Sequence, residues 1–491
     1  MVNANVINGS CGNVAGCYFA MTLAAFPGTL ASGLFSKKPV LVGPNLLITT
    51  MAVALIGAND SLTYGNVLVA MLIGVIVSFI LGATPLRKIF VDGIPKGVRK
   101  ALPAAIGLYV CIQALENTGL MNAGTLASAG VLEDLNVLYF WLLLAGILIF
   151  VVYRAAGRVN AYGSTYVILI ALMWVIGISF FMEDFVGGQT ATTLVYQRVN
   201  LIVATDGASP YTIAGGISSL NLGLLSSGFD FSAFSDAGGN TALFLIENGF
   251  LFGATILYWN TGVLDTVTDD EKAQTKAICT TSLAGLIAVV LGVPALTVSE
   301  CSTLAKKDGA ENGQSAAAAS VGYLVALFSW VFFALSATTT NGVGMWISET
   351  ETKLAAYVQD GFAFNALLLV LLGGSMVFAA FESLLKETDI KAEKSEENGK
   401  EEKKESIPSS LRVSFTLTFL GIALSGNLVA GMALGIAAAF LLLAFEEKKR
   451  ALTKNLILIT AIFAVFGFLT FRYGTNFITV VQQMMMGGPP A

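Results

Sequence analysis

The chain has 491 residues, of which 55% are hydrophobic and only 12% are charged, and its mean hydropathy is +0.75. Soluble domains carry about 25% charged residues, so this composition excludes an ordinary soluble protein and predicts a polytopic membrane protein. The net charge of −5 says little about partners, because the position of the charges matters more than their sum in such a chain. The five cysteines show neither metal-ligand nor disulfide spacing.

Apolar segments long enough to span a bilayer as helices, about 20 residues, recur along the chain. Two more segments, 39–57 and 294–305, are apolar but interrupted. The twelve uninterrupted segments are 14–35, 64–86, 101–117, 135–153, 163–182, 242–259, 277–293, 315–338, 362–385, 411–426, 428–445 and 455–472.

The basic residues divide unevenly between the two sides of these spans. Counted over all fourteen segments, 24 of the 27 Lys and Arg residues lie in loops on one side, and only Arg198, Lys353 and Arg472 lie on the other. Because basic loops are retained in the cytoplasm, we predict that the first side is cytoplasmic and that both termini are outside.

Two polar stretches mark the domain organisation. Residues 183–240 are rich in Gly, Ser and Thr and are predicted to form the largest external loop, between a first repeat at 1–182 and a second at 241–472. Residues 386–406 have mixed charge and no apolar periodicity, which indicates a flexible cytoplasmic linker. An external tail, 473–491, follows the second repeat.

The two interrupted segments predict extended backbone inside the membrane. Pro39, Gly43 and Pro44 disfavour a helix at the start of 39–57, and β-branched residues after Gly292 favour extended backbone in 294–305. Such backbone is tolerated at membrane depth only where it is buried in protein or lines a cavity. Paired broken segments therefore predict a central binding site, although ordinary loops that dip into the headgroups would give the same pattern.

Glu247 and Glu300 are lone carboxylates within or beside apolar segments. A charge at membrane depth costs at least ~2.5–3.5 kcal/mol, so such residues mark substrate or ion pathways. The chain contains no histidine, which leaves carboxylates, tyrosines and water to carry protons. The alternative is that each glutamate caps a helix or lies at an interface.

Four motifs, in the right order, resemble a known family, the adenine/guanine/hypoxanthine permeases of the xanthine/uracil/ascorbate (nucleobase-cation symporter 2) superfamily. Residues 94–110 resemble the stretch after the family's fourth span, and 37–47 resemble N-L-P-I-A-L-A-P-G-M-G. Residues 246–256 lie over V-D-L-F-D-T-V-G-T-L, which places Glu247 on the first acidic position. Residues 291–302 lie over L-G-T-S-T-V-T-T-Y-V-E-S, which places Glu300 on the family glutamate.

The resemblance implies an all-α polytopic fold, with a seven-span repeat in inverted topology, two broken segments, and core and gate domains. The chain departs from the family in three places. Phe250 replaces the second aspartate, Cys301 to Leu304 replace S-A-A-G, and residue 14 onward resembles the second span, so the first family span is missing from this sequence. Whether that span is truly lost or truncated stays open.

The family moves nucleobases, and carboxylates suit that task because they accept ring N–H bonds. We expect Glu247 to grip the ring donors, and Glu300 to act as a coupling or second substrate carboxylate. Main-chain groups at Pro44 to Leu46 and at Val298 to Ser299 would bond the opposite edge, and Phe250 or Phe252 would stack on the ring unless they only pack. The predicted substrate-binding residues are Glu247, Glu300, Pro44, Asn45, Leu46, Thr49, Phe250, Val298 and Ser299, with Glu300 and Glu247 also coupling protons.

These expectations describe a secondary active transporter of adenine, guanine, hypoxanthine or xanthine, by proton symport or with Na⁺ in place of H⁺, in the plasma membrane. A sulfate-type anion carrier of the same fold and a non-transporting sensor or scaffold are the alternatives. No nucleophile–base pair, metal spacing or phosphate loop points to an enzyme, a metal or a cofactor. The expected partners are the base, the coupling ion, the bilayer and a second copy of the chain in a homodimer, with no nucleic acid.

Overall fold

The computed structural model describes residues 14–57, 62–87, 90–91, 94–117, 229–234, 240–328, 409–425 and 428–445, with scattered positions between 370 and 381 and at 457 and 460. The predicted segments 135–153 and 163–182 and the linker 386–406 lie outside the described residues. Most of segments 362–385 and 455–472 and of the loop 183–240 also lies outside them.

The described part is helical except for two three-residue strands, which confirms the predicted all-α class with two extended interruptions. Four of its helices are long and apolar enough to cross a membrane, by length and composition. The elements in chain order are α1 (Val14–Ser36), β1 (Val42–Pro44), α2 (Leu46–Gly57), α3 (Tyr64–Ala83), α4 (Lys96–Asn117), a 3₁₀ turn (Ser232–Phe234), α5 (Asn240–Val267), α6 (Glu271–Val290), β2 (Leu296–Val298), α7 (Cys301–Lys307), α8 (Gly313–Phe328), α9 (Ser409–Ser425) and α10 (Leu428–Phe445).

Two helices extend beyond their predicted apolar segments at the predicted cytoplasmic side. Helix α5 runs to Val267 rather than ending at 259, and α6 starts at Glu271 rather than at 277. Asp270 caps α6 by accepting the Lys272 N–H at 2.9 Å. A hydropathy window misses these turns because their residues are polar, although their backbone bonds are helical.

The two interruptions pair with each other as an antiparallel two-stranded sheet. Val42 faces Val298, Gly43 faces Thr297, and Pro44 faces Leu296, and the Ser299 N–H extends the ladder by donating to the Leu41 carbonyl at 2.9 Å. Both strands begin two residues earlier than the extended stretches predicted at Pro44 to Leu46 and Val298 to Ser299. Segments far apart in sequence are thereby joined at one point.

The outer edge of β1 is closed by side chains. The Val42 N–H donates to Thr29 Oγ1 at 2.9 Å, and its carbonyl accepts from the hydroxyls of Thr29 at 3.0 Å and Tyr323 at 2.8 Å. Backbone away from a helix needs such partners when no water is near. Short extended backbone is stable here because neighbouring helices satisfy it.

Glycines allow α3 and α5 to cross closely. Gly249 and Gly253 lie one turn apart on α5 and face Gly74 of α3, where an added Cβ would lie 2.6 Å from the Phe252 Cβ. Small residues four apart are a common way for membrane helices to approach. This crossing fixes α5 against α3 and so positions the part of α5 that reaches the strands.

A polar network joins four helices at the predicted cytoplasmic ends. Arg87, which is only 7% exposed, donates to Gln274 Oε1 at 2.6 Å, and Gln274 Nε2 donates to Asp265 Oδ1 at 2.9 Å. Arg99 completes it with two bonds to Asp265, at 2.7 and 2.8 Å. These contacts put the ends of α3 and α5 beside the starts of α4 and α6, and the assignment of these ends to the cytoplasm stays a prediction.

The opposite ends meet a segment of the predicted external loop. The Thr63 hydroxyl donates to Asp230 Oδ2 at 2.9 Å, and Asn66 Nδ2 donates to the Asp230 carbonyl at 2.7 Å. Thr63 and Asn66 also form a reciprocal cap at the start of α3.

The described helices form two groups. Helices α1, α5 and α6 pack against the strand pair, α8 packs against α1, and α3 packs against α5 and α6. Helix α9 packs instead against α4 and α10. Arg99 and Asp265 tie α4 to α5 between the groups. The assignment of these groups to core and gate domains, and the repeat boundaries at 182 and 241, stay predictions.

Candidate functional site

Glu300 lies two residues after β2, at the N-cap position of α7, and its side chain makes no capping bond. The neighbouring Ser299 hydroxyl takes that part, since its oxygen accepts the Cys301 N–H at 3.3 Å. The Glu300 carboxylate is half-buried at the end of the strand pair. Its negative charge is therefore not used to cap the helix it precedes.

Asn45 and Thr49 follow β1, at the end of the strand pair opposite to Glu300, and both are buried. Asn45 Oδ1 accepts the Ile48 N–H at 3.2 Å, and its Nδ2 donates to Thr297 Oγ1 at 2.9 Å. The Thr49 hydroxyl donates to the Asn45 carbonyl at 2.8 Å. Asn45 thus links the start of α2 to β2, with both ends of its amide engaged.

Two other predicted residues of this segment differ in position. Pro44 is the last residue of β1, whereas Leu46 is already the first residue of α2. The main chain at 46 is therefore helical rather than extended, and that part of the prediction is wrong. The helix begins early because Asn45 supplies its cap.

The outer edge of β2 is closed by α5. The Trp259 indole N–H donates to the Val298 carbonyl at 3.1 Å, and the Val298 N–H donates to Asn260 Oδ1 at 2.7 Å. The expectation that the Val298 main chain is open to a ligand is wrong, because both of its groups are already bonded.

Sequence reasoning missed Trp259 and Asn260. Both are almost fully buried, at 1% and 0% exposure. An asparagine in the middle of an apolar helix is itself a signal, since a buried amide needs partners. The apolar segment predicted from the sequence ends at 259, one residue before the asparagine, whereas the helix continues to Val267.

The structure does not bring Glu247 to the strand pair. It precedes Trp259 by twelve residues of one continuous helix, which separates them by about 18 Å along the axis. Beyond Val298 the chain moves further from Glu247, because the Thr303 hydroxyl bonds that of Thr266. The two glutamates therefore do not hold one flat ring between them here, and the role of each stays a prediction.

The predicted stacking residue is also elsewhere. Phe250 is 44% exposed and nine residues before Trp259, and Phe252 is buried against Gly74 of α3. Among the described residues, aromatic side chains that bond the strand pair are Trp259, at β2, and Tyr323, at β1.

Comparison with curated proteins supports the predicted resemblance. Part of the chain is similar to the guanine/hypoxanthine permease PbuO of Bacillus subtilis (strain 168), at 30% identity over 139 residues, which are 28% of this chain and 32% of that protein. Another match is the adenine permease AdeQ of Escherichia coli (strain K12), at 26% identity over 118 residues, 24% of this chain and 27% of that protein. The chain thus spans about a third or less of the curated relatives it matches.

No family model matches the chain. Among solved structures, the transmembrane domain of the cyanobacterium bicarbonate transporter BicA matches with a TM-score of 0.32 at 12% identity, covering 77% of this chain and 96% of that one. SLC26A9 matches with a TM-score of 0.41 at 13% identity, covering 91% of this chain and 65% of that one. Scores this low carry no argument about cargo or mechanism.

Both curated relatives are permeases rather than enzymes. The described part of the chain supplies four helices able to cross a membrane and a strand pair enclosed by side chains. The chain is an integral, multi-pass membrane protein that resembles bacterial nucleobase permeases over part of its length.

Proposed function

We propose that this chain is a secondary active transporter of purine nucleobases, driven by proton symport, in the plasma membrane. The observation that carries the proposal is the strand pair with the Glu300 carboxylate at its end. The partial similarity to two nucleobase permeases gives the class of cargo. A nucleobase and H⁺ are then the partners, and the homodimer stays a prediction.

Glu300 suits the recognition of a flat heterocycle. A carboxylate is an acceptor only, and charge-assisted bonds to ring N–H groups are about twice as strong as neutral ones. The Ser299 hydroxyl and the strand ends lie next to it. In this proposal Glu300 accepts a ring N–H of the bound base. A proton loads with the base from outside and is released with it to the cytoplasm, which makes the transport a symport.

Glu247 has a different part in this proposal. Its position about 18 Å along α5 from Trp259 suits a second proton-coupling carboxylate, toward the predicted external end, rather than a second contact to the same ring. The uptake test described below also distinguishes coupling to Na⁺ from coupling to H⁺.

An anion carrier is the weaker candidate on electrostatic grounds. The side chains that bond the strand main chain in the described residues are Thr29, Tyr323, Ser302, Trp259 and Asn260, and all of them are uncharged. Glu300 would repel an anion at this place, and the described bonds supply no compensating cation.

The test is uptake by cells that lack their own nucleobase carriers. Radiolabelled adenine, guanine, hypoxanthine, xanthine, uracil, ascorbate and sulfate are offered with and without a protonophore. We expect purine uptake that the protonophore abolishes. Sulfate uptake alone would favour the anion carrier. Purine uptake that depends on Na⁺ would make Na⁺, rather than H⁺, the coupling ion. No uptake of any solute would favour a scaffold.

A matched pair of variants tests the site. Glu300→Gln keeps the shape but loses the charge, so we expect uptake to fall by about tenfold or more, the factor that corresponds to losing one charge-assisted bond. Glu311→Gln changes an exposed glutamate between α7 and α8 and should leave uptake unchanged. Equal uptake by the two variants, at equal membrane abundance, would remove Glu300 from the site.

A further inference from the structure

Asn260 is a fully buried asparagine whose amide orientation is fixed at one end. Its Oδ1 accepts the Val298 N–H at 2.7 Å, and the reverse orientation would set two donors against each other. The adjacent Trp259 bonds the Val298 carbonyl, so both residues are held at the edge of β2. Nδ2 therefore occupies the other position of the planar amide and cannot exchange places with Oδ1.

Nδ2 is buried, and no residue that the structure describes accepts a hydrogen bond from it. Buried polar groups in folded proteins almost always have partners. Two N–H donors at membrane depth therefore call for an acceptor that comes from elsewhere.

Asn45 provides an internal comparison. It lies at the opposite end of the same strand pair and is equally buried, yet its Oδ1 and its Nδ2 are both bonded to the protein. Asn45, an asparagine with a structural part in this environment, thus has a partner at each end of its amide. In Asn260 only Oδ1, which accepts the Val298 N–H of β2, has a partner among the described residues.

The open donor is close to the proposed substrate carboxylate. Glu300 follows Val298 by two residues, a span of at most about 7 Å between Cα atoms. At the end of β2, α5 therefore contributes a donor without a described acceptor, beside Val298. The chain that follows Val298 contributes an acceptor-only carboxylate two residues further on. A ligand that fits both must offer an acceptor beside an N–H donor.

We propose that Asn260 Nδ2 donates to the C6 oxygen of a 6-oxopurine while Glu300 accepts the neighbouring N1–H. This inference rests on the proposed function and narrows it to hypoxanthine, guanine and xanthine. Adenine carries a donor at C6 and an acceptor at N1, so in the same orientation both of its groups would oppose like groups of the protein. A site built to bond a substrate group strongly rejects the analogue that lacks it.

The experiment compares competitors of radiolabelled hypoxanthine uptake. Unlabelled hypoxanthine, purine (which lacks the C6 oxygen) and adenine are titrated against wild type, Asn260→Asp and Asn260→Leu. Asn260→Asp keeps an oxygen for the Val298 N–H and replaces the amide NH₂, so it preserves the strand contact. Asn260→Leu removes the donor outright.

The matched control is Thr261→Val. Thr261 is the next residue on α5 and is equally buried, but its hydroxyl donates only to the Leu257 carbonyl of its own helix, at 2.8 Å. Its loss should leave the competitor ranking unchanged. Membrane abundance is measured for every variant, and a variant that does not reach the membrane is set aside so that the other decides.

We expect wild type to prefer hypoxanthine to purine and to adenine by about tenfold or more, the factor for one well-placed bond. We expect this preference to fall in an Asn260 variant, and the part that remains reflects the Glu300 bond to N1–H, which purine and adenine also lack. Unchanged preference in the surviving Asn260 variants overturns the inference and leaves the proposed function intact, as does a wild type that prefers adenine. A wild type that takes up no nucleobase overturns both.

Discussion

Helix α5 carries a carboxylate near each end, and the two ends differ in what lies opposite the carboxylate. Glu247 and Asp265 are 18 residues apart, which is five turns, so they share one face of the helix. Asp265 is held by Arg99 and Gln274, whereas Glu247 lies in the turns that cross α3 through glycines.

An acidic residue in an apolar chain is therefore not by itself evidence of a binding site. Asp265 is a structural partner that links α4, α5 and α6. The ligand-facing candidates are instead grouped around the strand pair, which lies about two thirds of the way from Glu247 to Asp265 along α5. What faces the carboxylate decides its role.

We expect the largest effect from Glu247→Gln. If Glu247 couples protons and does not hold the base, concentrative uptake should fall by about tenfold or more, while exchange of labelled for unlabelled base across proteoliposomes should persist. Glu300→Gln should lose both. If Glu247→Gln also loses exchange, Glu247 contacts the base. If Glu247→Gln keeps normal concentrative uptake, Glu247 does not couple protons.

The crossing at the Glu247 end is tested by Gly74→Ala. The added Cβ would lie 2.6 Å from the Phe252 Cβ and 3.0 Å from the Gly249 carbonyl, and overpacking of this kind costs about 1–3 kcal/mol. We expect a lower melting temperature of the purified protein in detergent. Gly322→Ala, where an added Cβ has no atom within 4 Å, is the control. Equal melting temperatures of the two variants would contradict the close crossing.

The Asp265 end is tested by Asp265→Asn. This change keeps one acceptor for Gln274 or Arg99 but removes the charge, so we expect a loss of about 1 kcal/mol, discounted because the Arg99 and Asp265 side chains are 29% and 18% exposed. The readout is again the melting temperature, with the exposed Asp269→Asn as the control. A loss of uptake with unchanged stability would instead assign Asp265 a part in transport.

The smallest expected effect concerns Asp230 at the external ends. Hydrogen bonds from Ser232 and Thr63 lower the pKa of Asp230 below its ordinary value. The ionised form is thus favoured by folding, so its stabilisation is present above the unfolded pKa and is lost as the pH falls through the lowered folded pKa.

At pH 7 the melting temperature of wild type should therefore exceed that of Asp230→Asn by about one degree or less, because Asp230 lies near solvent. That excess should shrink at pH 3. An excess that grows on acidification would contradict the sign.

Much of the fold follows from composition and pattern. The apolar segments at 14–35, 64–86 and 428–445 appear as helices α1, α3 and α10, because a chain in lipid must satisfy its backbone internally and a helix does so within one segment. Proline and glycine at 39–44 and the β-branched run after 294 mark the two interruptions. The sequence alone also singles out Glu300 as a charge in an apolar setting.

The pairing of β1 with β2 and the role of α5 depend on contacts between residues that are distant in sequence. Leu41 and Ser299 are joined by one backbone bond, and Val298 by Asn260 and Trp259. Local pattern could not separate Asn45, whose amide has a partner at each end, from Asn260, whose Nδ2 has no described acceptor. Only the tertiary structure decides which of these amide groups has a partner, because the partner belongs to whichever helix or strand packs against the asparagine. The hydrophobicity of the sequence predicts that helices pack together but not which residues face each other.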